Sequence, residues 1–238
     1  MMKISIITIS YNSDKTIERT IKSVIAQDFP NIEYIIIDGG SKDKTLSIID
    51  RYSSKITHLI SEPDGGISDA FNKGLALANG NLVAFLNADD WYADDKVLSI
   101  VANNYEDQQT ILCGGINLVS EEGQVLKTIL SRPEKLHQGM YITHPACFIP
   151  KLIIEKVGFF DVNHKIAMDF DYLSRCKVAG SQFKVVPGLL TQMQIGGASF
   201  NAKAAAKEEL MVKNRYYGNK TSHYLHYYFA LLIGAIRN

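Results

Sequence analysis

The sequence predicts an α/β protein with a mostly parallel central sheet, flanking helices and a smaller antiparallel part, and three observations carry that expectation. Strand-like and helix-like segments alternate through the first fifty residues, the pattern of parallel strands joined by right-handed crossovers. Short β-branched or apolar runs end abruptly in polar turns: Lys3 to Ser10 in Tyr11-Asn12-Ser13, Glu33 to Ile37 in Asp38-Gly39-Gly40-Ser41, and Leu82 to Leu86 in Asn87-Ala88-Asp89-Asp90. After Asp107 the pattern changes, with a polar turn at Glu121-Glu122-Gly123 between two strand-like runs, which reads as antiparallel pairing.

The elements follow in order. After the first strand, Ser13 or Asp14 can cap a helix whose apolar positions Ile17, Ile21, Val24 and Ile25 have helical spacing, and Phe29-Pro30-Asn31 breaks it. Lys44 to Arg51 reads as a second helix and Ile56 to Ser61 as a third strand. Glu62 to Asp69 holds twin glycines, after which Ala70 to Asn79 reads as a helix started by Ser68 or Asp69 and closed by Gly80. Leu82 to Leu86 is the fourth strand, and Asp95 to Tyr105 a further helix. Thr110 to Val119 and Gln124 to Leu130 form the expected hairpin, and Ala146 to Ile149 the next strand. Helices are expected over Lys151 to Val157, from Ala167 to about Cys176, and over Ala204 to Tyr217, with a strand at Phe183 to Val186. The resulting division is 1–107 for one subdomain, 108–217 for a second part of the same domain, and 218–238 for an aromatic tail or helix.

The chain has 238 residues, 25 Lys+Arg against 25 Asp+Glu, and 46% hydrophobic residues. Such a chain can bury a large core, and its charge balance argues against nucleic acid as the main partner. Cys113, Cys147 and Cys176 lack metal-site spacing and sit in apolar surroundings, so they read as buried thiols of a reducing compartment. The amino-terminal apolar run is too short for a signal peptide, and no window reaches the roughly 18 to 20 apolar residues of a membrane span. A cytoplasmic protein is the expectation. The tail, rich in Tyr224, Leu225, Tyr227, Tyr228 and Phe229, leaves open packing on its own domain, a homodimer contact, or a peripheral contact at the inner face of the cytoplasmic membrane.

Four acidic groups stand where chemistry could gather: Asp38; Asp64 with Asp69; Asp89 with Asp90; and Asp169 with Asp171. In a parallel sheet the first three converge on the carboxyl edge of the strands, where ligands bind. Aspartate and asparagine oxygens are hard donors suited to Mg²⁺ or Mn²⁺ shared with substrate phosphates. Each also has a plainer reading as a turn or helix cap, or as a partner of the helix dipole. No Gly-x-Gly-x-x-Gly follows the first strand, and neither a phosphate-binding Gly-x-x-x-x-Gly-Lys-Ser/Thr loop nor a Gly-x-Ser-x-Gly elbow is present. His137, His144 and His164 lack zinc-ligand spacing.

Taken together, Ile9-Ser-Tyr-Asn12, Ile37-Asp-Gly-Gly-Ser41, Asp64-Gly-Gly-Ile-Ser-Asp-Ala-Phe-Asn-Lys-Gly74, Phe85-Leu-Asn-Ala-Asp-Asp90 and Met168-Asp-Phe-Asp-Tyr172 resemble the family 2 glycosyltransferases over roughly residues 3 to 200. The resemblance implies a Rossmann-like GT-A fold with an acceptor-side antiparallel part. It also implies a nucleotide-diphosphate sugar donor, a UDP-sugar being favoured, an Mn²⁺ or Mg²⁺ cofactor, and inversion at the anomeric carbon. The acceptor would be a glycan or a lipid-linked hydroxyl, as in bacterial polysaccharide assembly.

By the same resemblance the nucleotide side would comprise Ser10, Tyr11, Asp38, Asp64, Asn72, Lys73, Asn87 and Ala88. Tyr11 would pack on the base, Asp38 would bond its edge, and Asp89 would hold the metal. Asp169 would be the general base, in the place of the family's Glu-Asp pair, with Asp171 as the competing base. The acceptor or phosphate side would include His144, Asp90, Gly197 and Ser199. Asn87 stands where many members have an aspartate, and Met168 replaces the family's glutamate. The competing functions are a sugar nucleotidyltransferase, which should carry more basic residues after the first strand than Lys15, and a sugar-binding or scaffold protein without catalysis. On a helix Asp169 and Asp171 point about 200° apart, so only one is expected to face an acceptor.

Overall fold

A computed structural model describes residues 2–196 and 202–236. The first half alternates as expected: β1 (Ile4–Ser10), α1 (Ile17–Ile25), β2 (Ile32–Asp38), α2 (Thr45–Asp50), β3 (His58–Ser61), α3 (Ile67–Leu77), β4 (Leu82–Phe85), the two-residue β5 (Trp91–Tyr92) and α4 (Val97–Asn104). The second half adds β6 (Thr110–Val119), β7 (Val125–Leu130), β8 (Cys147–Pro150), α5 (Lys151–Val157), α6 (Met168–Val178), β9 (Gln182–Gln194), α7 (Ala202–Tyr217) and α8 (Thr221–Ile236).

One mixed sheet in the order β3-β2-β1-β4-β8-β6-β9-β5 runs through both halves, with β7 paired to β6. The β1–β2, β1–β4 and β2–β3 pairs are parallel. β8 enters antiparallel to both β4 and β6, whereas β9 runs parallel to β6. Burial explains the sequence pattern: every residue of β4 is buried, so the strand reads as a continuous apolar run rather than an alternating one. Two apolar clusters cover the sheet, one gathering Ile7, Phe71, Phe85, Phe160 and Tyr172, the other Ile6, Ile17, Tyr34, Leu98 and Phe148. Cys113, Cys147 and Cys176 are buried free thiols, as their apolar surroundings suggested. Among the described residues no helix is long and apolar enough to cross a membrane.

Three local expectations are corrected. Neither Ser13 nor Asp14 caps α1 with its side chain; the helix instead starts after Thr16, and the Ser13 carbonyl accepts the Thr16 and Ile17 N–H groups. Gly80 is no helix cap, since α3 ends with Ala78 in an extended conformation. Gly80 is needed because a Cβ there would lie 2.6 Å from the backbone nitrogen of Ser5 on β1. The expected strand over Phe183–Val186 is the start of the thirteen-residue β9. Pro187-Gly188 reads as a break in sequence, but the register against β6 shifts at this point and Gly188 takes φ +94°, so the strand continues past an irregularity.

Candidate active site

The carboxyl ends of β1, β2 and β4 meet along one edge, as parallel pairing requires. The turn after β1 is held to the turn after β2 by Asn12, whose N–H donates to Ser41 Oγ (2.8 Å) and whose Oδ1 accepts from Lys42 N (2.9 Å). Asn12 takes φ +48°, a left-handed conformation that asparagine tolerates better than most residues. The chain reversal leaves Tyr11 63% exposed at the mouth of a cleft. Gly39 lies between Tyr11 and Asp64: a Cβ there would stand 2.6 Å from Asp64 Oδ2 and 3.4 Å from Tyr11 Cδ2. The cleft, about 620 Å³, is lined by Ser10, Tyr11, Asp64, Asn87, Ala88 and Asp89 among others.

A smaller cavity of about 120 Å³ adjoins it. Asn87, Asp89, Ile67 and Gln194 line both spaces, while Asp90, His144, Met168 and Asp169 line the smaller one. Tertiary contacts fix the Asn87–Asp90 turn. Ala88 N donates to Ile9 O, Thr20 Oγ1 to Asp90 O at 2.6 Å, and Gln194 N to Asp90 Oδ1 at 3.2 Å. Arg19 lies over the Trp91 ring at 3.4 Å and donates to Asp89 O and Gln194 Oε1. Burial raises the carboxyls of Asp89 and Asp90 above the usual carboxylate range, and in Asp90 the Asp89 charge raises it further. Asn87 Oδ1 and Asp90 Oδ2 are buried without a hydrogen-bond partner.

Such orphaned oxygens are costly unless something binds them. Both lie within two residues of Asp89 and, like its carboxylate, are hard oxygens of the donor type a divalent cation takes. Among the described residues no group of three His, Cys, Asp or Glu could hold a metal ion by itself.

Asp169 enters the cavity from the first turn of α6. Burial pushes its carboxyl up to about 6, although part of its surface remains accessible, and its Oδ1 accepts the Phe170 N–H at 2.7 Å. Asp171 does not line the cavity. It is fully buried and bonded to Arg175 Nε (2.9 Å) and Tyr216 Oη (2.8 Å), with His164 Nε2 at 3.6 Å. His144 is buried against Phe85, with ring centroids 5.2 Å apart, and its Nε2 has no partner. Burial lowers its imidazole to about 4, so the ring is neutral near pH 7.

Several expected nucleotide contacts are engaged elsewhere. The Asp38 carboxylate is fully buried and accepts bonds from Ser10 Oγ, Gly40 N, Ser41 N, Ser41 Oγ and Ser61 Oγ. It binds the turns together and is not part of the cleft wall. Asn72 exchanges two hydrogen bonds with the Phe160 backbone, and Lys73 pairs with Glu62 (2.8 Å) and Asp69 (3.5 Å). Gly74 lets α3 approach β1, because a Cβ there would overlap Ile7. Gly197 and Ser199 lie outside the described residues.

Sequence reading missed Arg19, Gln194 and above all Glu208. The first turn of α6 has no side-chain cap of its own. Glu208 of α7 supplies one, its carboxylate accepting the N–H groups of Lys165 (3.1 Å), Ile166 (2.9 Å) and Ala167 (2.9 Å). No local motif could reveal a cap that comes from 41 residues away.

Comparison with known proteins agrees with the fold and the resemblance. The chain belongs to glycosyl transferase family 2, whose profile matches residues 5–176. It is 27% identical over 173 residues to the Escherichia coli protein WfaP, a UDP-Glc:alpha-D-GlcNAc-diphosphoundecaprenol beta-1,3-glucosyltransferase; the match covers 72% of this chain and 68% of WfaP. The crystal structure of Staphylococcus aureus TarS 1-349 in complex with UDP-GlcNAc superposes with a TM-score of 0.69 at 20% identity, covering 89% of this chain and 64% of that one. The mannosyltransferase PcManGT of Pyrobaculum calidifontis, in complex with GDP-Man and Mn²⁺, gives a TM-score of 0.66 at 16% identity, covering 99% of this chain and 76% of that one. The chain spans only 39% of the longer TarS chain. These likenesses establish a GT-A-like arrangement.

Proposed function

We propose that the protein transfers a sugar, with inversion, from a nucleotide-diphosphate sugar to a hydroxyl of a glycan or lipid-linked acceptor. The observation that carries this reading is the junction of the two spaces, where Asn87 and Asp89 face both the large cleft and the cavity that holds Asp169. A nucleotide-sized ligand suits the 620 Å³ cleft. Tyr11 offers an exposed ring for the base, and Ser10, Asp64 and Ala88 line the path toward the turn after β4. Asp38 acts at one remove, by holding the turns that carry Ser10 and Gly39. The anomeric carbon would then lie near Asp89, with the acceptor hydroxyl on the Asp169 side.

In the reaction the acceptor oxygen forms a bond to the anomeric carbon as the bond from that carbon to the phosphate oxygen breaks. Asp169 takes the hydroxyl proton, and the nucleotide diphosphate leaves with the bonding electron pair. A carboxyl raised to about 6 is ionised at neutral pH yet basic enough for that proton transfer. Asp89, with Asn87 and Asp90 beside it, would hold Mn²⁺ or Mg²⁺, which supplies positive charge against the leaving diphosphate. His144, neutral and unpartnered at Nε2, can donate or accept one hydrogen bond to a sugar hydroxyl. The subdomain division at residue 107 corresponds in this reading to a donor-side part and an acceptor-side part.

A thermal-shift screen of nucleotide-diphosphate sugars with Mn²⁺ tests the proposal. A matching donor should raise the midpoint only when the metal is present, and Asp89→Asn should abolish that dependence. A full panel of donors with no metal-dependent stabilisation would sink the reading.

A further inference from the structure

We propose that a third cavity, between the turn at 133–138, α7 and the start of α8, binds a phosphate or diphosphate group. The cavity measures about 420 Å³ and is lined by His137, Gln138, Lys213, Lys220, Ser222 and His223. Two lysines, two imidazoles, an amide and a hydroxyl face one space, and among the described residues no carboxylate lines it. Among the described residues no tyrosine, phenylalanine or tryptophan lines it to take a nucleotide base, so the chemistry is that of a compact anion.

Two features make this more than a set of surface cations. Lys213 is only 2% exposed, and its ammonium is paired with Glu209 at 3.2 Å. An ammonium has three donors, and one carboxylate does not satisfy a buried one, so Lys213 still has hydrogen bonds to offer. The sixteen-residue α8 begins at Thr221, which brings the positive end of its dipole and the first-turn residues Ser222 and His223 to the same space.

The position suggests which phosphate the cavity takes. Glu209, the partner of Lys213, is next to Glu208, whose carboxylate caps the turn that carries Asp169, so α7 joins the cavity to the turn of the proposed base. The helix that borders the cavity also exposes Tyr224, Leu225, Tyr228 and Phe229, at a spacing that puts them on one face. An anion site bordered by a helix that also exposes apolar side chains suits the phosphate of a lipid-linked acceptor. This choice of source rests on the transferase reading above; the anion site itself does not.

The test uses the full chain, inorganic pyrophosphate as probe, and chelator in place of metal so that the Asp89 region is not engaged. Pyrophosphate should raise the unfolding midpoint of the wild type, and Lys220→Glu, a change at an exposed position, should weaken its apparent affinity about tenfold or more. His137→Ala should weaken it less. Stabilisation by donor sugar with Mn²⁺ should be the same in all three proteins. Absence of a pyrophosphate effect, or an equal effect in Lys220→Glu, overturns the anion site. In a second arm, vesicles of phosphatidylcholine containing phosphatidic acid should sediment the wild type and not Lys220→Glu, whereas phosphatidylcholine alone should sediment neither. Pyrophosphate binding without vesicle binding overturns the lipid source. Failure of the donor arm alone counts against the transferase reading and leaves the anion site standing.

Discussion

The edge formed by β1, β2 and β4 leads into Asp89, which lines both spaces, and the corner formed by α6 and α7 carries Asp169, which lines the smaller one, but the two are built on different scales. At the strand edge, position follows from sequence order: a parallel pair must bring its carboxyl ends together, so Ser10, Asp38 and Asn87 come near one another once the strands are recognised. At the α6–α7 corner the decisive groups belong to elements that have no sequence relation to each other. Glu208 caps the turn that carries Asp169, and Tyr216 removes Asp171 from solvent. A site assembled by repeat geometry tolerates changes in individual contacts, whereas one assembled by two or three long-range bonds depends on each.

Substitutions at the corner can break that contrast, and Asp169→Asn should have the largest effect. Turnover is expected to fall by about 10² to 10⁴, the usual contribution of a general base, while donor binding by thermal shift stays near wild type. The same change should raise stability. Because the folded carboxyl is raised to about 6 from 3.8, the native state binds the proton more tightly, so stability is lost as pH rises through this window and remains lost at pH 7. Asparagine mimics the protonated form and should recover about 1 to 3 kcal/mol, toward the lower end because part of the carboxyl meets solvent. Near-normal turnover in this variant, with loss in Asp171→Asn, would reverse the assignment. For the wild type, kcat should fall as pH drops through about 6.

Glu208→Gln comes next. It keeps the shape but withdraws the charge that accepts three backbone N–H groups, so the first turn of α6 should loosen by about 1 kcal/mol. Turnover should drop about tenfold, with little change in donor affinity, because a small displacement of a proton acceptor is felt in the transition state. Wild-type turnover in a folded Glu208→Gln protein would show that the cap does not position Asp169.

Asp171→Asn should affect chemistry least. Breaking a buried, hydrogen-bonded ion pair typically destabilises by about 3 kcal/mol, so the unfolding midpoint should fall clearly. Turnover per folded molecule should stay within about threefold of wild type. The two aspartates would then be separated by opposite signs of stability change and very different losses of activity.

Much of the framework was legible from local pattern. The β-branched runs and the acidic turn after Leu86 marked the parallel strands and the oxygen-rich edge. The hairpin Thr110 to Leu130 was readable from its polar turn, and α5 from Pro150 and Gly158. Legibility failed where neighbours outside the local window decide. Gly80 resembles a helix cap until β1 is set beside it, and Pro187-Gly188 resembles a strand end until β6 supplies a partner on both sides. Asp38 lies in one of the family-like segments and Asn72 and Lys73 in another; that their side chains bond Ser61, Phe160 and Glu62, among other partners, is visible only in the fold.

The sequence by itself determined the α/β alternation, the placement of hard oxygen donors at strand ends, and the short list of carboxylates from which a base could come. These depend on periodicity, propensity and turn chemistry, which act over a few residues. Only the tertiary structure gave those carboxylates different surroundings. Asp169 lines the cavity after a turn capped by Glu208, Asp171 is bonded to Arg175 and Tyr216, and Asp38 accepts donors from three turns. Whether a carboxylate is available to a ligand depends on how many donors already reach it, and those donors come from elements brought together only when the chain folds.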